Sequence, residues 1–182
     1  MYNGSPFVFG YQDGVVNYLH PLSLEAILGL FVSPSRGLLI YSPFFIFVPI
    51  GYWRARAESR SRFYFFSLLV TIGGVLVLSM WQNWDGGWGY GTRMLTDLLP
   101  YAALLLIPTF KIMSARAQII FWVILGYAML AHSFALWDYG TRWHWHWDNW
   151  KYDVWNVAES EPLYYFKQYW DMAVHFLSRV KS

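Results

Sequence analysis

The residues of this chain that could do chemistry are concentrated in one short loop. Residues 81–93 hold four glycines and four aromatic side chains between two apolar stretches. Glycine lets a backbone turn sharply or come close to a ligand, and indole and phenol rings offer flat faces to a sugar ring or a lipid chain. Trp84, Trp88 and Tyr90 are therefore candidates for sugar or lipid contact. A tight turn ringed by interfacial aromatics is the competing structural explanation, and spacing alone favours it. Arg93 and Asp97 shift the balance. Four residues apart at the mouth of an apolar helix, they share a face and can pair, with Asp97 orienting Arg93. An ionisable group at membrane depth points to function, a purely structural ion pair being its close rival.

The second constellation is Trp143-His144-Trp145-His146-Trp147-Asp148. In an extended segment His144, His146 and Asp148 face one way and offer two imidazoles and a carboxylate to zinc or a similar divalent ion. In a helix only His144 and Asp148 align, and the alternating tryptophans fit an interfacial layer better than a metal site. No motif demands a cofactor, and a divalent metal is the one candidate. His132, inside an apolar stretch, reads as a helix-packing hydrogen bonder. Asp85, Asp138 and Asp148 read as outward carboxylates. The chain has no cysteine, which excludes thiol catalysis, thiolate zinc sites and disulfides.

These residues need a scaffold, and composition says of which kind. The chain of 182 residues is 57% hydrophobic and 22% aromatic but only 13% charged, against about a quarter charged in an ordinary soluble domain. The expected fold is all-α, a polytopic membrane protein with about four transmembrane helices plus interfacial helices. A span takes about 20 mostly apolar residues, with about 17 as the minimum. Segments 37–53, 63–80, 94–110 and 117–137 qualify. The first carries Pro43 and Pro49 and should be kinked, and the third carries Pro100 and Pro108. Residues 22–31 stop at Ser33-Pro34-Ser35-Arg36 and read as a short interfacial or re-entrant helix. Residues 162–180 set Leu163, Phe166, Tyr169, Trp170, Ala173 and Leu177 at helical spacing, an amphipathic helix suited to a membrane surface. One membrane domain, 1–182, thus divides into an outward loop with an interfacial helix (1–36), four spans (37–137) and an outward aromatic-rich tail (138–182).

Lys and Arg near helix ends are retained on the cytoplasmic side, so the basic loop 54–62 and the turn 111–116 should face the cytoplasm. The loop 81–93, the tail and residues 1–36 then face outside or the periplasm, in a plasma (inner) membrane. The formal net charge is only +2, and its thirteen Lys and Arg are scattered without a basic stripe. Nucleic acid is excluded as a partner on that ground.

Residues 87–100, Gly-Trp-Gly-Tyr-Gly-Thr-Arg-Met-Leu-Thr-Asp-Leu-Leu-Pro, preceded by Trp81 and Trp84, resemble the late outward loop and following helix of bacterial GT-C superfamily membrane glycosyltransferase-like proteins. Ser33-Pro34-Ser35-Arg36-Gly37-Leu38-Leu39-Ile40-Tyr41-Ser42-Pro43 resembles the segment entering an earlier helix of the same proteins. Gly4-Ser5-Pro6-Phe7 with Gly10-Tyr11 resembles the outward loop before it. The three fall in the family's order and cover most of residues 4–100. The resemblance implies transfer of a hexosyl or pentosyl group from a polyprenyl-phosphate-sugar donor to a glycan, lipid or protein acceptor on the outer face. It implies Arg36 and Arg93 as contacts of the lipid phosphate, a role to which a guanidinium fork is suited. The family's catalytic base usually sits in a first outward loop for which this sequence shows no counterpart. The expectation is a C-terminal portion of a longer chain, or a chain completed by a partner. Two other classes remain open. A transporter or flippase component predicts ionisable or discontinuous elements near the midplane; a non-catalytic membrane scaffold predicts that Arg93 is dispensable.

Overall fold

A computed structural model of the chain describes residues 19–87, 89–138, 142–145 and 153–180. Every regular element among them is helical, and Leu19 and Trp81 form an isolated antiparallel bridge. The order is α1 (Leu24–Val32), α2 (Leu38–Tyr41), a 3-10 turn (Pro43–Phe47), α3 (Val48–Ala55), α4 (Ser61–Ser79), a second 3-10 stretch (Arg93–Leu98), α5 (Leu99–Leu104), α6 (Ile107–Phe110), α7 (Ala115–Asp138), α8 (Arg142–Trp145) and α9 (Glu161–Val180).

Two helices, α4 and α7, are long and apolar enough to cross a membrane. They coincide with the expected spans 63–80 and 117–137. The other two expected spans, 37–53 and 94–110, are not single helices. Ser42 leaves helical geometry at φ −139°, ψ 64°, and Pro43 opens a 3-10 turn. Pro49, Pro100 and Pro108 each stand at the start of a new short helix, where the missing N–H would have had no partner anyway. Four prolines thus turn two candidate spans into chains of short pieces, so two of the four expected spans are continuous.

The broken pieces close on one another. On α3, Gly51 lies so near the α6 segment that a Cβ would overlap the Leu105 carbonyl and come within 2.5 Å of Thr109 Oγ1. Thr109 in turn donates to the Phe47 carbonyl (3.3 Å), a side-chain bond that ties α6 to the start of α3. Leu30, Leu38, Phe45, Val75, Leu95 and Ala102 form the core that joins α1 and α2 to α4 and α5. Helix α1 begins at Ser23, whose hydroxyl accepts from Ala26 N (3.2 Å), and ends where Ser33 is extended ahead of Pro34.

The two ends of α4 differ chemically. At its start Lys111 Nζ meets Glu58 Oε1 at 2.8 Å and ties the two basic turns together. At its end His20 N donates to Met80 O (2.7 Å), and there the glycine loop, Arg36, α8 and the start of α9 converge. The polar, aromatic-rich segments gather at one end of the molecule, and the two basic turns lie at the other.

Candidate functional site

The centre of that polar end is Arg36. The turn after α1 is closed by Arg36 N and Gly37 N donating to Ser33 O (3.3 and 2.7 Å) and by Ser33 Oγ accepting from Arg36 N (3.2 Å). This compact turn aims the Arg36 side chain inward, where it is 1% exposed. Nη1 donates to Glu161 Oε2 (2.7 Å) and to Gly89 O; Nη2 donates to Gly87 O (3.0 Å) and contacts His144 Nε2 (2.8 Å). Its guanidinium carbon stands 5.1 Å from the centre of the Trp143 ring, itself fully buried. A guanidinium can only donate, so His144 Nε2 is the acceptor of that contact, and Gly87 O, which also lies 2.7 Å from Nε2, is served by Arg36. Burial and the neighbouring Arg36 charge hold the imidazole below its ordinary range, which keeps it neutral as this role requires.

Glu161, in the first turn of α9, is the other half of the centre and is fully buried. Its Oε2 accepts from Arg36, from Tyr41 OH (3.0 Å) and from Gly91 N (2.9 Å), whereas Oε1 is buried without a hydrogen-bond partner. Burial pushes the carboxyl up to about 6 against the opposing pull of Arg36, the Gly91 amide and Tyr41. Glu161 N is held by Ser35 Oγ (3.3 Å), and Pro162 follows in the first helical turn, where its missing donor is harmless. Sequence reading started this helix one residue too late and passed over Glu161. The signal available was an acidic residue directly before a proline at a helix start.

The glycine loop is gripped from inside. Gly86, Gly87 and Gly91 take φ of +82°, +53° and +58°, the left-handed region that side chains other than glycine rarely adopt. Asp85 Oδ1 accepts from Gly87 N at 3.2 Å. Tyr90 turns into the protein: its OH donates to Ala131 O on α7 (2.6 Å), and its ring packs edge-on to Tyr41 and Tyr165 at 5.3 and 5.7 Å. Burial raises its pKa above the ordinary phenol value. Trp84 lies on Gly29 of α1 and packs against the core, so this indole is a wedge between loop and helix. Neither ring is simply presented outward as a platform for sugar or lipid.

The expected partners of phosphate separate. Arg36 is enclosed and neutralised by Glu161, so an incoming phosphate cannot reach it without opening the cluster. Arg93 is exposed, and its side chain runs over Gly89, where a Cβ would overlap Arg93 Cδ and lie 3.2 Å from Nη1. Among the described residues Arg93 forms no ion pair, and the expected Arg93–Asp97 pairing is absent. Residues 93–98 form a 3-10 helix, not an α-helix. At three residues per turn, positions i and i+4 stand about 120° apart around the axis and cannot share a face.

The aromatic tail also departs from expectation. Trp143 and His144 lie on the short helix α8, both buried, with Trp143 Nε1 donating to Glu159 O at 2.7 Å. They pack against Arg36, and so they form neither an outward interfacial layer nor the extended face that a metal site would use. His146, Asp148 and Trp88 lie outside the described residues, and no group of three metal-ligating side chains occurs among those described. His132 meets Ser42 Oγ at 3.2 Å, a helix-packing contact as expected.

Compared with known protein families, with curated proteins and with solved structures, the chain matches none.

Proposed function

We propose that this chain is an integral membrane protein that contributes the carrier-binding part of a GT-C-like glycosyltransferase, moving a sugar from a polyprenyl-phosphate donor to an acceptor on the outer face. Arg93 is the phosphate contact in this reading, and Arg36 is not. The observation that carries it is the exposed Arg93 guanidinium, free of ion pairing among the described residues, on a glycine loop that the protein holds rigidly from behind. A phosphate needs such a cation, and a bidentate guanidinium suits it.

The membrane assignment is supported by α4 and α7. Only 17% of each apolar stretch is buried by the rest of the protein. Phe66, Leu69 and Val77 on α4 and Ile119, Val123 and Met129 on α7 are all more than half exposed. In water these faces would form apolar patches far beyond those that soluble monomers leave open, and hydrocarbon is the medium that covers them. The proline-broken passes 37–53 and 94–110, closed on each other through Gly51, complete a four-pass domain in this reading. The Lys111–Glu58 end faces the cytoplasm, by the bias of Lys and Arg.

One observation favours a non-catalytic scaffold instead. Arg36, Glu161 and His144 satisfy one another in a closed cluster, as structural groups do. Sugar transfer in membranes carrying the full-length gene separates the two. The transferase reading expects Arg93→Ala to lower turnover with the protein still folded, and the scaffold reading expects turnover and glycan phenotype unchanged.

A further inference from the structure

We infer that Glu161 is a positioning residue for anion binding: through Oε2 it locks the glycine loop in the shape that presents Arg93 to the phosphate headgroup of a prenyl lipid. The inference rests on the assignment of Arg93 above and deepens it.

Three donors converge on that one oxygen from three separate segments: Arg36 after α1, Tyr41 at the end of α2, and Gly91 in the loop. The guanidinium oriented by the same oxygen takes the carbonyls of Gly87 and Gly89. One ion pair therefore holds the loop at residues 87, 89 and 91, every second residue, from its inner side. Arg93 follows two residues later and lies across Gly89 on the accessible side. Glycine has no Cβ to limit its backbone, so without the pair Gly87, Gly89 and Gly91 keep only the hold of Tyr90 on Ala131 and of Asp85 on Gly87 N, and the carbonyls of Gly87 and Gly89 are free to turn. Arg93 would then lose the surface it lies on. Glu161 is fully buried, so its influence on binding passes through the loop.

The position of the charge can be tested apart from the hydrogen bonds. In Glu161→Gln the amide oxygen can still accept from Gly91 N and Tyr41 OH, but the charge that fixes Arg36 is gone. Tyr41→Phe keeps the charge and removes one of the three donors. The full chain is placed in lipid nanodiscs, and binding is measured by equilibrium dialysis with farnesyl phosphate, with farnesol to report the prenyl chain and inorganic phosphate to report the free anion. Far-UV circular dichroism checks the fold of each variant.

Glu161→Gln is expected to bind farnesyl phosphate about tenfold more weakly, a usual scale for one site acting on another through structure. Tyr41→Phe should lose less, about threefold, by the same reasoning. Farnesol binding should not change in either variant. Because Glu161 acts through Arg93, the double variant Arg93→Ala/Glu161→Gln should bind no worse than Arg93→Ala alone. Loss of binding in Arg93→Ala together with unchanged binding in Glu161→Gln and Tyr41→Phe would overturn the positioning role alone. Losses that multiply in the double variant would overturn it as well, since the two residues would then act separately. Unchanged binding in Arg93→Ala would overturn the phosphate assignment and this inference with it.

Discussion

Replacing Glu161 by Leu removes the countercharge of a guanidinium that is 1% exposed. Breaking a buried pair from one side costs about 3–5 kcal/mol, because the remaining charge is left without compensation. Where such a pair stands alone, replacing both partners by apolar residues of similar volume is neutral or gains about 1–4 kcal/mol. Here the double replacement Arg36→Met/Glu161→Leu should not recover. It strands Gly89 O and Gly91 N, which Arg36 and Glu161 now serve, at about 1–3 kcal/mol for each buried backbone group. Gly87 O fares better, since His144 Nε2 lies 2.7 Å away and can turn from acceptor to donor once the guanidinium is gone. With the replacement itself taken at the neutral end of that range, the double variant is therefore expected about 2–6 kcal/mol below the wild type, the sum over the two stranded groups. Denaturant unfolding of wild type, single and double variants in one detergent, followed by far-UV circular dichroism, gives the three differences. A double variant as stable as the wild type would refute the reasoning, because the pair would then be an ordinary buried ion pair with no hold on the loop.

Other consequences can be read in the same assay. Gly51→Ala drives a methyl group into the Leu105 carbonyl and should cost about 1–3 kcal/mol or more, while Gly73→Ala, with no atom within 4 Å of the new Cβ, should be neutral or stabilising. Gly91→Ala meets a φ of +58° and the Tyr41 ring 3.0 Å away, and the backbone alone should cost about 1–2 kcal/mol. Arg93→Ala should move stability by no more than about 0.5 kcal/mol, because the side chain is exposed and forms no ion pair among the described residues. For pH the signs oppose. The Glu161 carboxyl rises from 4.5 to about 6 in the fold. Its contribution, about 2 kcal/mol, is therefore fully present below pH 4.5 and lost as pH rises through 6. His144 is held neutral, so stability falls as pH drops below 6.5. In His144→Gln the stability should rise from pH 7 to 4.5 relative to His144→Gln/Glu161→Gln. Parallel profiles for those two variants would show that Glu161 titrates alike folded and unfolded.

Much of this protein follows from residue type and spacing alone, because those parts depend on local rules. Long apolar runs without proline give α4 and α7, the Ser33-Pro34 step ends α1, and apolar spacing at three and four residues gives α9. The prolines also marked where helices would break, although how far they shortened them depended on neighbours. Gly51 and Thr109, 58 positions apart in sequence, had to meet before α3 and α6 could close on each other and Thr109 could reach the Phe47 carbonyl. Sequence singled out Arg36 and Arg93 and treated them alike, since both are arginines at the mouths of apolar segments. Only the tertiary structure told them apart. A charge is neutralised by whatever lies within a few ångströms, and Arg36 finds Glu161, 125 residues away, while Arg93 lies on the outer side of the glycine loop with no such neighbour among the described residues. The same distance hid the function of Glu161 itself: an acid before a proline reads as a helix start, and becomes the anchor of the loop only when α1, α2, the glycine turn and α9 come together.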